Sequence, residues 1–430
     1  GNVSKQNRNG VNCYYDYDEF SRITDEDYGN EEIDYYYDAA GNRTMKTICD
    51  DNGDTEVDYA YDLNNRLLEE SNHSYANNKT DVTKYVYDNN GNQIKKIGYI
   101  TKGVNGSPSQ DLVSENELNN TYEIYKYNEF NEMTSFESNK ESKWEYAYLP
   151  NGLRYRKSNA SNFDRYVWDR NGNIIAEMNG EGNLTNKYVR GNKLISKNGN
   201  EYFGYDGHGS VVNISNESGK SIKSYDYDAF GVELNRDVND TNLFRYCGEQ
   251  YDNETDSIYL RARYYNPSLG RFTTEDTYWN SSNRIYGDKE YKEGEIKYPD
   301  YKAIIQSENL YIYCINNPTC YLDITGLNPE KKYIDSRNKS ETYYTYYDKD
   351  DDTIYKPSFN TTTTLMIPTD DKSAAEATDY VLACYESTKL GEKIVGEIIS
   401  GKIVGILSEE IPTIDIFAAL DQSHESTVLV

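Results

Sequence analysis

Few residue patterns in this chain could do chemistry, and the ones that are missing narrow the choices. The six cysteines, Cys13, Cys49, Cys247, Cys314, Cys320 and Cys384, show no CxxC spacing, so they give neither a metal signature nor a disulfide framework. Cys314 and Cys320 could pair across a hairpin; buried free thiols are the other reading. The acidic run at residues 348–352 offers carboxylates to calcium. It lacks the alternating ligands and bidentate Glu of a loop site, and reads instead as a solvated turn. No cofactor and no metal is implied. The richest stretch is residues 242–327, where Arg245, Arg261, Arg263 and Arg271 lie among apolar and aromatic residues and the end is an Asp-x-x-Gly-Leu turn at Asp323. That layout predicts strands locked by buried arginines, followed by a tight exit.

The elements around that stretch must come from a tyrosine-rich chain. At 430 residues there is room for two or three domains. Hydrophobic residues make up 36%, below the roughly 45–50% of ordinary domains, yet there are 46 tyrosines. Tyrosine strands can bury rings while hydrogen-bonding their hydroxyls, so a low aliphatic content does not imply disorder. A net charge of -28 and a pI near 4.5 argue against nucleic acid as a general partner, because phosphate contacts need clustered Lys and Arg. The chain opens inside its own pattern and looks like a fragment, so the lack of a signal peptide does not bear on secretion.

From residue 11 to about residue 230 the sequence repeats. Tyr-x-Tyr-Asp, followed by a Gly or Asn turn, begins at Tyr15, Tyr35, Tyr59, Tyr85 and Tyr225, with degenerate copies at Tyr125, Tyr146, Tyr166 and Phe203. Most neighbours are about twenty to twenty-six residues apart, the length of a hairpin. The alternation puts both rings on one face of a strand, and Asp-x-x-Gly-Asn, as at Asp38, Asp88 and Asp169, supplies a turn that tolerates positive φ. A long antiparallel sheet follows from this. Residues 100–121, rich in Gly, Ser, Asn and Asp, read as a long hairpin excursion or surface loop.

The block Phe244-Arg245-Tyr246, Gly248-Glu249-Gln250-Tyr251, Leu260-Arg261-Ala262-Arg263-Tyr264-Tyr265-Asn266-Pro267, Gly270-Arg271-Phe272, Asn309-Leu310-Tyr311 and Asn316-Asn317-Pro318 resembles the RHS repeat-associated core domain, and the repeats before it resemble the tyrosine-aspartate repeats of the same family. The resemblance implies a mainly β fold, in which a long antiparallel sheet of hairpins is wound as part of a hollow cocoon, with a small α+β C-terminal domain. It implies a repeat shell over residues 1–241, a core that caps it over 242–327, and a variable domain over 328–430. It further implies an aspartic-protease-like self-cleavage, with Asp276 and Asp323 as the carboxylate pair and the Leu327-Asn328 bond as the one cut. Such a pair shares one proton and so supplies both base and acid. Arg271 is the expected cation beside it. Proline is absent from both motifs, and a polar insertion over about residues 280–308 separates them. The bland alternatives are a turn role for Asp276, a backbone cap for Asp323 and a buried ion pair for Arg271.

After Leu327 the period stops. Tyr343 to Tyr347 and Thr353 to Tyr355 read as one last hairpin around the acidic run. A helix is expected from Ser373, capped by Ser373 with Glu376, and a second over about residues 390–408, carrying Ile394, Val395, Ile398, Ile399, Ile403, Val404 and Leu407 and stopped by Pro412. It is too charged and short for a membrane span. The resemblance makes this region a toxin released from its shell, with an immunity protein as partner, the upstream shell segment as a second partner, and a secreted or bacterial cell-surface location. A surface adhesin whose tyrosine-rich repeats bind glycans is the alternative.

Overall fold

Each Tyr-x-Tyr-Asp copy ends one strand and starts the turn to the next. Asp18 accepts the N–H of Phe20 and Arg22 on Oδ1, both at 2.9 Å, while its own N–H closes onto Arg22 O and Ser21 N–H returns to Asp18 O. The same arrangement recurs at Asp62, Asp88, Asn128, Asp169 and Asp206. The residue three after the turn-opening Asp or Asn must be left-handed: Ser21, Gly41, Asn65, Gly91, Asn131 and Gly172 have φ of 62, 80, 61, 76, 61 and 70°. Only Gly, or a small polar residue such as Asn, takes that conformation at low cost. The ladder slips by one residue there, as between Asp16 and Tyr17, which makes the hairpin bulged.

The first tyrosine of each copy is buried, as at Tyr15, Tyr35, Tyr59, Tyr85 and Tyr125. The second lies half-buried on the same face and reaches back one hairpin: Tyr17, Tyr37 and Tyr61 hydroxyls donate to the carbonyls of Val3, Ile23 and Arg43 at 2.6, 2.9 and 2.7 Å. Tyrosine thus fills the face and satisfies its own polar atom, as the composition requires.

The computed structural model describes residues 2–8, 11–102, 121–140, 142–234, 236–288, 295–327 and 329–331, with short strands beyond. Two compact units divide the chain. The first comprises residues 1–143 and 225–332. Its strands run from Lys5–Arg8 to Met133–Ser138, each antiparallel to the next. The expected excursion begins after Lys102, where Gly98 pairs with Thr121; residues 103–120 lie outside the described residues. Beyond residue 225 a four-stranded meander, Gln250–Asp252, Ser257–Leu260, Arg263–Asn266 and Arg271–Phe272, forms the core stretch. The polar insertion ends in an unforeseen helix, Tyr301–Glu308, capped by Asp300, whose carboxylate accepts from Lys302 N and Ala303 N.

The second unit comprises residues 144–224 and 333–430. Strands from Trp144–Tyr148 to Ser221–Ser224 again pair each with the next. Arg154, fully buried, lies over the rings of Tyr146 and Tyr166 at 5.4 and 5.6 Å. Tyr344–Asp348 pairs with Thr353–Tyr355, the expected last hairpin. The helix expected over residues 390–408 is not formed where the chain is described. Ile394–Glu397 and Ile403–Leu407 make an antiparallel hairpin with Gly396 facing Gly405. β-branched Ile and Val favour strands, and Gly396, Gly401 and Gly405 weaken a helix. The helix expected from Ser373 lies outside the described residues. Among the described residues no helix is long and apolar enough to cross a membrane.

Candidate functional site

The two candidate aspartates arrive from separate elements of the first unit. The meander turns at Arg261 and Ala262, bringing Arg263 onto a strand opposite Leu260. After a tight turn, in which Gly270 has φ 66°, the chain returns through Arg271 and Phe272. Phe272 N donates to Tyr311 O at 2.9 Å and Asp276 N to Leu310 O at 3.1 Å. Asp276 is thereby fixed on a ribbon with residues 310–312. Asp323 follows the strand Tyr321–Leu322, which pairs with Glu330–Lys331. It opens the exit turn.

Both carboxylates converge on one guanidinium, that of Arg263. Its Nη2 is 2.9 Å from Asp276 Oδ2 and 3.8 Å from Asp323 Oδ2. All three side chains are buried, at 4, 6 and 1% exposure for Arg263, Asp276 and Asp323. Asp276 Oδ1 accepts from Tyr278 N at 2.8 Å. Asp323 Oδ1 takes the N–H groups of Thr325, Gly326 and Leu327 at 3.2, 2.7 and 3.2 Å. Asp323 Oδ2 has no hydrogen-bond partner.

Burial outweighs the guanidinium in setting the charge. Loss of hydration pushes the Asp276 carboxyl up to about 6, against the pull of Arg263 and with a push from Asp323. Burial also raises Asp323, which Arg263 and the exit-turn N–H groups oppose. The two acids therefore hold a proton more readily than free carboxylates do. Burial of each carboxyl, more than repulsion between the two, is the cause.

Arg263 also grips the exit turn. Its Nε donates to Gly326 O and its Nη1 to Leu310 O, the latter at 2.9 Å. Arg261 donates to Ile324 O and pairs with Glu249 at 2.9 Å, while Ala262 N reaches Thr325 O at 3.2 Å. A side chain at Gly326 would stand 2.6 Å from Leu260 O. The turn is clamped from three consecutive residues.

Arg271 does not join the carboxylates, contrary to expectation. Its guanidinium lies between the rings of Tyr61 and Tyr311, 4.8 and 4.9 Å from their centroids, and donates to Asn65 O. Strand alternation is the reason. Phe272 packs its ring 3.5 Å from the Arg263 guanidinium, so its neighbour Arg271 points to the other side. The signal for Arg263 was present in the sequence: in Leu260-Arg261-Ala262-Arg263-Tyr264 it is the arginine beyond the turn. Among the described residues Cys13, Cys49, Cys247, Cys314 and Cys320 form no disulfide; Cys384 lies outside the described residues, as does Asn328. Asp25, Glu32 and Asp34 place carboxylate oxygens within 4.8 Å of one another, and Thr47 donates to Asp34 at 2.9 Å.

No family model matches the chain. The chain is 31% identical over 254 residues to the tRNA3(Ser)-specific nuclease WapA of Bacillus spizizenii, a match covering 57% of this chain and 10% of that protein. It is equally similar, at 31% over 254 residues and with the same coverage, to the tRNA nuclease WapA of Bacillus subtilis. Among solved structures, the crystal structure of TcdB2-TccC3-Cdc42 aligns over 75% of this chain and 19% of that one, at 17% identity and a TM-score of 0.34. The chain spans about a tenth of the length of these curated relatives.

Proposed function

We propose that this chain is the shell-and-tail end of a secreted bacterial toxin whose core cuts the chain after Leu327. In this reading residues 1–241 form the repeat shell, 242–327 the core and 328–430 the effector, with a neighbouring immunity protein as its partner. The observation that carries it is the convergence of Asp276 and Asp323 on Arg263 at the mouth of the exit turn. Support for the toxin half comes from the similarity to WapA nucleases. The tRNA specificity in their names is not carried over. Residues 328–430 hold ten Lys and Arg against nineteen Asp and Glu, the wrong sign for phosphate contacts.

In the proposed step, Asp323 Oδ2, which accepts no hydrogen bond, takes a proton from water while the water oxygen attacks the Leu327 carbonyl carbon. Asp276, protonated through a range reaching pH 6, supplies a proton to the departing Asn328 nitrogen as the C–N bond breaks. Arg263 holds both acids and the exit turn in register. The strand Glu330–Lys331 stays paired with Tyr321–Leu322, so the cut tail begins its existence still bound.

Intact mass of the purified chain, with Asp323→Asn in parallel, tests the cleavage. Fragments ending at Leu327 and starting at Asn328 in the wild type, and one uncut mass in the variant, are expected. One uncut mass in both would end the cleavage half of the proposal. The toxin half is tested by expressing residues 328–430 in a bacterial host, where unimpaired growth without an immunity gene would overturn it.

A further inference from the structure

Four consecutive repeat turns leave carbonyls out of their own bonding, among them that of the fourth residue. In every such turn the opening Asp N–H closes onto the fifth residue's carbonyl and the fourth N–H returns to the Asp carbonyl. The carbonyl of the left-handed fourth residue remains. In this chain these are the carbonyls of Ser21, Gly41, Asn65 and Gly91.

Each receives one side-chain donor from the core stretch. Asn317 Nδ2 donates to Ser21 O at 2.7 Å and Asn316 Nδ2 to Gly41 O at 2.8 Å. Arg271 Nη2 donates to Asn65 O, and the Tyr311 hydroxyl to Gly91 O at 2.8 Å. The four donors are themselves buried. The segment that carries three of them is strained: Cys314, Ile315 and Asn316 have φ of 50, 50 and 57°, and an L-residue such as Ile pays heavily for that conformation. Strain persists where surrounding contacts over-determine it. Here it redirects the chain between Tyr311 and Asn316.

We propose that Asn317, Asn316, Arg271 and Tyr311 form a reading head whose partner is a rim of four successive hairpin turns, recognised through the carbonyl at the left-handed position. Two of the four positions carry a further requirement: Asn65 Nδ2 donates to Glu308 O at 2.9 Å, and a Cβ at Gly91 would run into the Glu275 side chain. At Ser21 and Gly41 the carbonyl is the group read, so recognition depends there on turn type and on the spacing of the hairpins. A rim of the same turn class that keeps Gly at the fourth turn would be accepted, and one with a turn of different length would not. Seating on the rim does not depend on whether the chain cuts itself.

The test is hydrogen exchange on the full chain. Tyr311→Phe removes only the hydroxyl and is expected to raise exchange at least tenfold in the turn at residues 88–92, leaving the other three turns at wild-type rates. Asn317→Ala is expected to do the same at residues 18–22 alone. Ser21→Gly keeps the carbonyl and the left-handed backbone, so all four turns and residues 309–317 should exchange as in the wild type. Wild-type exchange at residues 88–92 in Tyr311→Phe would overturn the proposal. So would loosening of residues 309–317 by Ser21→Gly, because the side chain would then be what is read. Should Asn317→Ala fail to fold, Tyr311→Phe decides.

Discussion

Arg263 and Asp276 form a buried ion pair of 2.9 Å, and Asp323 approaches the same guanidinium nitrogen at 3.8 Å. Breaking a buried pair from one side leaves its partner charged and dry, which costs about 3–5 kcal/mol. Arg263→Leu should lose stability on that scale in urea unfolding at neutral pH. The loss should shrink at pH 4, where Asp276, pushed up to about 6, carries a proton. A pH-independent loss would mean that the arginine matters only for its packing against Phe272 and its bonds to the exit turn.

The raised Asp276 carboxyl has its own signature. Its folded value, about 6, stands above the ordinary range near 3.9, so the folded state binds the proton more tightly than the unfolded chain. Stability from this group is complete below pH 4 and is lost as pH climbs through 6, by on the order of 3 kcal/mol. Asp25, pushed up to about 6 by burial and by Asp34, Glu32, Asp16 and Asp27, titrates in the same window. The decisive quantity is therefore the difference between the wild type and Asp276→Asn. The variant should gain on the wild type between pH 4 and 6 and run parallel above it; parallel curves throughout would show that Asp276 is not held protonated.

Two glycines separate backbone cost from steric cost. Gly182 has φ 83° and open space where a Cβ would stand, so Gly182→Ala should cost only the left-handed penalty of about 1–2 kcal/mol. Gly326 has φ 73° and would place its Cβ 2.6 Å from Leu260 O and 3.0 Å from Arg263 N. Gly326→Ala should cost several-fold more and release the exit turn from Arg263. Equal losses in urea titrations of the two variants would refute the clamp.

The repeat sheet was legible in the sequence because its determinants are local. Tyr15 and Tyr17 share a face by alternation, and Asp18 bonds the turn that follows it, so a window of eight residues specifies a hairpin. The aspartate pair was legible only by resemblance, and its cation was misassigned. Which arginine meets Asp276 depends on how Arg263 and Arg271 alternate across a turn and on the side that Phe272 takes. The run around Ile394 and Ile403 fits both periodicities, and its β-branching was outweighed by its length. The four rim contacts had no sequence signal at all: the groups read are backbone carbonyls.

The thiols outside any disulfide give a reactivity order that follows from burial. Cys13, Cys247, Cys314 and Cys320 are buried, and Cys49 is exposed. Only the thiolate reacts with an alkylating agent, and the Cys49 thiol is raised above its ordinary value by partial loss of hydration and by Asp54. Native protein treated with iodoacetamide should therefore label Cys49 first among these five, slowly at neutral pH and faster as the pH rises. Peptide mapping reads the outcome. Burial also raises the Cys314 thiol far above its usual range, so its labelling should wait for unfolding. Labelling of Cys314 or Cys247 at the rate of Cys49 would mean that the strained segment between Tyr311 and Asn316 opens in the native state, and the reading of the repeat rim would have to be transient.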